Sequence, residues 1–325
     1  MIYGTGKYRY ELVEGWAKVP KGFSFLNVPG IWVDSQDRVH VFSRSAHPVA
    51  TFDREGNLLK WWGEGFFQGM HGSCIGPDGC FYFTDNQTVL KYSPEGKLLL
   101  TIGKPGKPSD TGWEPNKNAK GVDFDFLGID SIKGGPPFNA PTGVAVSKSG
   151  EIYVSDGYRN CKVHKFAPDG TLLYSWGEPG RGPGQFRVPH WIWLDKKERV
   201  WICDRHGDRI QIFDSKGKFL DQWTDLRLPA GMAMDKKEET VYVAEIARRV
   251  SVFTIKGKLL ARWGEGTYVF ERSKDGKEAK PPSLFLAPHG IGVDSRGDIY
   301  VGDIAQGVGG IDRGPRTVQK FARIT

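Results

Sequence analysis

Three histidines occupy the same place in a repeated sequence unit, an arrangement that suits metal binding. His71, His190 and His289 each stand at the start of the first strand of a repeat, in the segments GMHGS, VPHWI and APHGI. The repeats between them carry other residues at this position, namely Pro29, Thr142 and Ala230. A single histidine at the start of a strand also suits a hydrogen-bonded turn residue. The alternation favours a shared role instead.

The chemistry that this pattern predicts is that of a transition-metal site with an open coordination position. In a ring of six repeats, alternate units lie about 120° apart, so that three such side chains converge on the axis. Three neutral imidazoles suit catalytic Zn²⁺, which acidifies a bound oxygen or polarises a hydroxyl group. Ligand type alone leaves iron, cobalt, manganese and copper as alternatives.

A second repeated position follows the second strand of each unit and is nearly always acidic. Its residues are Ser43, Asp85, Asp156, Asp204, Glu245 and Asp303. We interpret the acids as structural acceptors for N–H groups of turns. The residues just beyond them vary, and variation on a fixed frame is where a specific site is expected. Those with suitable chemistry are Arg44, Tyr158 and Arg205.

These three side chains could serve a reaction at an axial metal ion. Two guanidinium groups, from Arg44 and Arg205, would hold a carboxylate through paired hydrogen bonds and stabilise oxyanion charge. Tyr158 between them would act as a base. The alternative is that both arginines pack on the blade surface.

The elements that position these residues are six copies of a four-stranded β unit. Segments 138–176 and 186–223 superpose without a gap as far as the Asp that ends the second apolar run. Alternating apolar residues and Gly- or Asp-containing turns indicate β-strands. The predicted blades are 28–62, 69–102, 140–176, 188–223, 228–263 and 287–321.

The predicted fold class is all-β, a single six-bladed β-propeller domain spanning 1–325. Its last repeat lacks a fourth strand, and the N-terminal segment 8–16 supplies one, which closes the ring and removes exposed strand edges. Trp62, Trp176 and Trp263 end three of the blades and are expected to pack between neighbouring blades. Two connecting segments, 107–137 and 267–283, are predicted to lie over a site at the channel mouth.

Composition argues against several other classes of protein. The net charge is +7, but the basic residues are spread over several repeats, which favours a solvated surface over a nucleic-acid patch. We expect no membrane partner. The first 18 residues contain no apolar core of a signal peptide, so we expect a cytoplasmic location. The four cysteines are expected to be reduced, with a Cys74–Cys80 bridge as the alternative.

With its NHL-type repeats and these motifs, the chain resembles the peptidyl-α-hydroxyglycine α-amidating lyases and would be a bacterial-type homologue of them. The resemblance runs from about position 28 to the C-terminus and is most specific at SDGYRN and DRHGDRIQIF. It implies a six-bladed propeller that cleaves a carbinolamide into an amide and glyoxylate. It further implies that His71, His190 and His289 hold zinc, that Tyr158 is the base, and that Arg44 and Arg205 flank the substrate.

The sequence departs from this family at two places. Animal members have a calcium-binding Asp after the third histidine, where this chain has Gly290, so bound Ca²⁺ is doubtful. Arg159 follows Tyr158 where the family has a disulfide cysteine. The expected substrate is a small molecule or peptide with a carboxylate, since any α-hydroxy-N-acyl compound meets the same chemistry. The alternatives are a metal-dependent hydrolase of lactones, esters or amides, and a non-enzymatic NHL-type binding scaffold.

Overall fold

The computed structural model describes most of the chain, namely residues 1–116, 128–235, 237, 239–267, 273, 275–277 and 283–324. Positions 117–127 of the connecting segment 107–137, and most of 267–283, lie outside the described residues. Two compact units are present, one formed by Met1–Phe67 with Ala230–Thr325 and the other by Gln68–Pro229. Among the described residues, no helix is long and apolar enough to cross a membrane.

The strands are numbered along the chain and form six antiparallel sheets, blades one to six. Two strands precede blade one: β1 (Ile2–Thr5) and β2 (Tyr8–Val13). Blade one contains β3 (Gly30–Val33), β4 (Val39–Phe42), β5 (Val49–Phe52) and β6 (Leu58–Trp62). Blade two contains β7 (Met70–Ile75), β8 (Phe81–Asp85), β9 (Thr88–Tyr92) and β10 (Leu98–Gly103). Blade three contains β11 (Gly143–Val146), β12 (Ile152–Asp156), β13 (Lys162–Phe166) and β14 (Leu172–Trp176).

The remaining elements follow the same plan. A short parallel pair, β15 (Glu178–Pro179) and β16 (Gln185–Phe186), precedes blade four. Blade four contains β17 (Pro189–Leu194), β18 (Val200–Asp204), β19 (Arg209–Phe213) and β20 (Phe219–Trp223). Blade five contains β21 (Pro229–Met234), β22 (Thr240–Glu245), β23 (Arg249–Thr254) and β24 (Leu259–Gly264). Blade six contains β25 (Pro288–Val293), β26 (Ile299–Asp303) and β27 (Val318–Ile324). The described helical turns are Ile129–Ser131, Arg205–Gly207, Ala305–Gly309 and Gly314–Thr317.

The inner strands are largely buried, whereas the outermost strands of the blades carry exposed side chains. All five residues of β18 are buried, but β20 keeps two exposed positions. In the unit Gln68–Pro229, β11 contacts β7 on one side and β17 on the other. In the other unit, β25 contacts both β22 and β3. The innermost strands of blades two, three and four pack side by side, as do those of blades six and one, and the second strand of blade five lies against β25.

The predicted fold class, an all-β six-bladed propeller of NHL-type repeats, is confirmed. An N-terminal strand completes the last blade as predicted, because β2 pairs antiparallel with β27. The structure adds β1 beyond it, which makes this sheet five-stranded. The strand ends at Val13, and Trp16 follows a turn in which Gly15 has a φ of 64°. The Trp16 indole then donates a hydrogen bond to the carbonyl oxygen of Arg54 at 2.9 Å.

Two of the three repeated tryptophans, Trp176 and Trp263, pack against the following blade as predicted from their positions. The Trp176 ring centroid lies 6.1 Å from that of Phe213 in blade four. The Trp263 ring centroid lies 5.1 Å from that of Tyr10 in the sheet of blade six. All four cysteines are free and buried, and Cys74 is not bridged to Cys80.

The repeated acids bind the backbone at the start of their own blade, as interpreted from the sequence. Asp204 accepts hydrogen bonds from the N–H groups of Arg187 and Val188, both at 2.9 Å. It also pairs with the buried guanidinium of Arg209 at 2.9 Å. Three other blades repeat the backbone contacts through Asp85, Asp156 and Asp303. These carboxylates thus hold the entry of each innermost strand in place.

Replacing Asp204 with alanine is expected to lower the free energy of unfolding by about 3–5 kcal/mol, because Arg209 would stay buried without its counter-charge. Urea unfolding followed by tryptophan fluorescence measures the change. Asp221→Ala removes an exposed carboxylate from the same blade and is expected to change stability by less than about 0.5 kcal/mol. Equal effects of the two substitutions would contradict the structural role of Asp204.

Candidate active site

Glycines after the repeated first-strand position let the innermost strands of the Gln68–Pro229 unit approach closely. A Cβ atom on Gly72 would lie 2.5 Å from Cα of Gly143, and one on Gly143 would lie 3.2 Å from the carbonyl oxygen of His190. A larger residue does not fit without moving the backbone. The close approach brings the ring centroids of His71 and His190 to 4.7 Å, with the rings nearly perpendicular.

The hydroxyl group of Tyr158 lies between these two histidines. Its oxygen is 2.9 Å from Nε2 of His71 and 3.2 Å from Nε2 of His190. Arg205 donates from Nη1 to the same hydroxyl oxygen at 3.0 Å, and its guanidinium carbon lies 4.9 Å from the centroid of the Tyr158 ring. Four predicted site residues of this unit are therefore in direct contact.

Hydrogen bonds fix the protonation pattern of the His71 ring. Its Nδ1 atom is 2.7 Å from the carbonyl oxygen of Thr142, and a carbonyl only accepts, so Nδ1 carries the proton. In the neutral ring, Nε2 then offers a lone pair toward Tyr158. At His190, Nε2 accepts a hydrogen bond from Nη1 of Arg205 at 2.8 Å. The single lone pair of His190 Nε2 is therefore used by Arg205, and the Tyr158 hydroxyl, which has one proton to donate, has Nε2 of His71 as its acceptor.

The other unit holds the remaining two predicted site residues, His289 and Arg44. His289 lies in β25 and is 2% exposed. Its Nδ1 atom donates to the carbonyl oxygen of Pro29 at 2.8 Å, the same contact that His71 makes with the corresponding residue of its neighbouring blade. Arg44 is half-buried after β4, and its backbone N–H donates to the carbonyl oxygen of Asn27 at 2.9 Å.

Gly290, the residue after His289 at which bound Ca²⁺ was considered from the sequence, lies against the backbone of blade one. A Cβ atom at this position would be 2.8 Å from the carbonyl carbon of Gly30 and 2.9 Å from its Cα atom. The backbone of the chain therefore leaves no room for a carboxylate side chain at position 290. The absence of an Asp here has a packing reason that a sequence alone does not reveal.

The loop that carries Tyr158 is tied down on both sides. Asn160 donates from Nδ2 to Asp156 at 2.7 Å and accepts at Oδ1 from the N–H of Gly135 at 2.7 Å. The Thr111 hydroxyl donates to the carbonyl oxygen of Arg159 at 2.5 Å. The described ends of the predicted connecting segment 107–137 therefore pack beside the tyrosine, at residues that the repeat pattern did not single out.

His206 is a further group at the site that sequence reasoning missed. Nε of Arg205 donates to Nδ1 of His206 at 3.4 Å. Burial, together with the charges of Arg205 and Arg187, holds the pKa of His206 well below its usual value. The imidazole is therefore neutral near pH 7 and accepts a hydrogen bond from the guanidinium without repelling it. Its position in the motif DRHGD was visible, but it lies outside the alternating pattern.

Comparisons with known proteins agree with the repeat and the fold. Residues 138–166, which cover most of blade three, match the NHL repeat. Human NHL repeat-containing protein 3 is 30% identical over 235 residues, covering 68% of this chain and 61% of the human protein. Drosophila melanogaster peptidyl-alpha-hydroxyglycine alpha-amidating lyase 1 is 28% identical over 183 residues, covering 52% of this chain and 29% of that protein.

Two further matches concern an amidating enzyme and a solved structure. Rat peptidylglycine alpha-amidating monooxygenase is 33% identical over 171 residues, covering 50% of this chain and 15% of the rat protein. A streptogramin B lyase structure has a TM-score of 0.57 at 15% identity, covering 96% of this chain and 97% of that one. The latter likeness concerns the fold alone. The chain spans about three fifths of the length of the mammalian NHL repeat-containing proteins that it matches.

Proposed function

We propose that this chain is a metal-dependent lyase that cleaves the C–N bond of an α-hydroxyglycine-type carbinolamide, R–CO–NH–CH(OH)–COO⁻, into an amide and glyoxylate. The observation that carries the proposal is the environment of the Tyr158 hydroxyl. Two imidazole nitrogens lie 2.9 and 3.2 Å from it, and an arginine donor lies 3.0 Å away. A hydroxyl held in this way is positioned to exchange a proton with a substrate bound beside the histidines.

The donor set fits a transition metal. The proposed ligands are the buried imidazoles of His71, His190 and His289. In His71 and His289 the Nδ1–H group donates a hydrogen bond to a backbone carbonyl oxygen. This bond fixes the orientation of the ring and leaves Nε2 as the ligand atom. Three neutral imidazoles suit Zn²⁺, or another divalent transition metal, with an open position. Such an ion would supply Lewis-acid polarisation of the substrate hydroxyl group.

Tyr158 is the proposed base. In its deprotonated form it takes the proton of the substrate hydroxyl, and the O–H electrons form the C=O bond of glyoxylate. The C–N bond breaks, its electron pair goes to nitrogen, and the proton held by Tyr158 passes to that nitrogen to give the amide. Arg205 donates a hydrogen bond to the tyrosine oxygen, and this bond strengthens when the oxygen is negatively charged.

The arginines are proposed to hold the substrate carboxylate. A guanidinium group binds a carboxylate through two parallel N–H···O bonds, which fixes both distance and orientation. Arg205 is buried and contacts the Tyr158 hydroxyl, and Arg44 would supply the second cation for the carboxylate. The similarity of half of this chain to an amidating lyase of Drosophila melanogaster also supports this reaction class.

Glyoxylate release tests the proposal directly. Purified, metal-loaded protein is expected to convert α-hydroxyhippurate to benzamide and glyoxylate in equal amounts, with no turnover of hippurate, which lacks the hydroxyl group. Product formation is followed by chromatography and by a coupled glyoxylate assay.

A matched panel of lactones, esters and simple amides tests the alternative reaction. If any of these compounds is turned over faster than α-hydroxyhippurate, the proposed lyase activity is wrong and a hydrolase activity takes its place. Metal-loaded protein that turns over neither class, while it retains RNA or a protein partner, would favour the binding scaffold.

A further inference from the structure

Arg159, the residue directly after Tyr158, lies over an aromatic ring. Its guanidinium carbon is 3.9 Å from the ring centroid of Trp113, a residue of the connecting segment between blades two and three. This is a close cation–π contact. The Trp113 ring covers one face of the guanidinium group. The N–H groups of the guanidinium point outward in its own plane, where they remain able to donate to an anion.

Most other arginines of the same unit have a carboxylate partner, and Arg159 has none among the described residues. The ion pairs are Arg187–Asp130, Arg199–Asp195, Arg209–Asp204 and Arg227–Asp208. Arg159 is half-buried, and loss of hydration lowers its pKa, with no acid among the described residues to offset that effect. The Arg159 guanidinium is partly desolvated, is held by Trp113 and has no carboxylate partner among the described residues, and these properties suit it to bind an anion.

The position of this cation is as well defined as that of the proposed base. The Cα atoms of Tyr158 and Arg159 are consecutive and therefore about 3.8 Å apart. The carbonyl oxygen of Arg159 accepts from the Thr111 hydroxyl, and Asn160 is bonded to Asp156 and Gly135. The loop therefore holds both side chains on one anchored backbone.

We propose that Arg159 and Trp113 form a subsite for a second carboxylate, carried by the acyl group R of the substrate. This inference rests on the proposed function and deepens it: the preferred substrates would be N-acyl-α-hydroxyglycines whose acyl chain ends in a carboxylate. The indole face would pack against the methylene groups of that chain. Arg205 and Arg44 would hold the carboxylate next to the reacting carbon.

The test uses acyl chains of increasing length with matched neutral ends. N-succinyl-, N-glutaryl- and N-adipoyl-α-hydroxyglycine are compared with the corresponding terminal carboxamides in metal-loaded protein. At one or more lengths the acid is expected to have a kcat/KM about 10-fold or more above that of its amide, through KM, because a charge-assisted hydrogen bond is gained.

Substitutions separate recognition from structure. Arg159→Gln is expected to bring the acid-to-amide ratio near one while kcat for the amides and the melting temperature stay unchanged, and Arg159→Lys to keep part of the preference. Arg181→Gln, which changes an exposed arginine of the same unit, is the matched control and should leave the ratio unaltered. A fall in melting temperature and in turnover of the neutral substrates would show instead that the stack only holds the loop.

Calorimetry with the unreactive N-acylglycines keeps this inference distinct from the proposed reaction. Acid-ended acylglycines are expected to bind more tightly than their amides, and Arg159→Gln is expected to abolish the difference. If binding discriminates but no compound releases glyoxylate, the lyase proposal fails and the subsite stands. If acid and amide bind equally, or Arg159→Gln keeps the preference, the subsite is wrong whatever the reaction.

Discussion

Phenylalanine in place of Tyr158 is expected to lower kcat for glyoxylate release by about 10²- to 10⁴-fold, the range that a general base contributes. The substitution removes only the oxygen that lies against His71, His190 and Arg205. KM is expected to change little, because the arginines that hold the carboxylate are untouched. Steady-state kinetics with α-hydroxyhippurate measures both constants.

The control for this substitution is a tyrosine of the same blade. Tyr174 lies on the outer strand β14, where its hydroxyl donates to the carbonyl oxygen of Ser215. Tyr174→Phe should leave kcat within about twofold, because no reacting group is near and surface changes are usually small. If Tyr158→Phe keeps its metal and more than a tenth of the native kcat, Tyr158 is not the base.

The repeat explains why part of this site was predictable. Histidines at equivalent positions of alternate blades must project from equivalent strands, because each blade is the same four-stranded unit. The structure accordingly brings His71 and His190 to a ring distance of 4.7 Å. The variable position after the repeated acid carries Tyr158 in blade three and Arg205 in blade four, and Arg205 donates a hydrogen bond to the Tyr158 hydroxyl. The length of the repeat and the alignment of its copies are enough to predict which side chains occupy equivalent positions, and both can be determined from the sequence.

The parts that escaped prediction lie outside the repeat. Trp113 comes from a segment with no counterpart in other blades, and its stack on Arg159 depends on where that segment crosses the molecule. The steric limit at Gly290 depends on the distance to Gly30, 260 positions away in the chain. Such contacts are set by packing between elements, and they leave no local pattern of residue types.

The division between fixed and variable positions also explains how one blade serves two purposes. Asp204 holds the backbone at the entry of β17, and this contact recurs in three other blades. Arg205 follows it directly and contacts Tyr158 and His190. A rigid carboxylate anchor next to a variable residue positions the latter without any further element, which is what a catalytic arrangement needs.

His190→Ala is expected to remove the bound metal and to reduce glyoxylate release by about 10³-fold or more, since the Lewis acid supplies several kcal/mol. Two imidazoles are left, and a transition metal held by two neutral ligands is lost on dialysis. Elemental analysis of protein purified without a histidine tag is expected to give one metal ion per native chain and almost none in the variant.

Two controls make this result specific to the three histidines. His47 packs with its ring centroid 4.3 Å from that of Phe23 and is not one of the proposed ligands, so His47→Gln is expected to keep the full metal content. Removing the ion from native protein with dipicolinate should abolish turnover, and adding Zn²⁺ should restore it, whereas His190→Ala should not recover. A variant that binds metal as tightly as the native chain would remove His190 from the proposed ligand set.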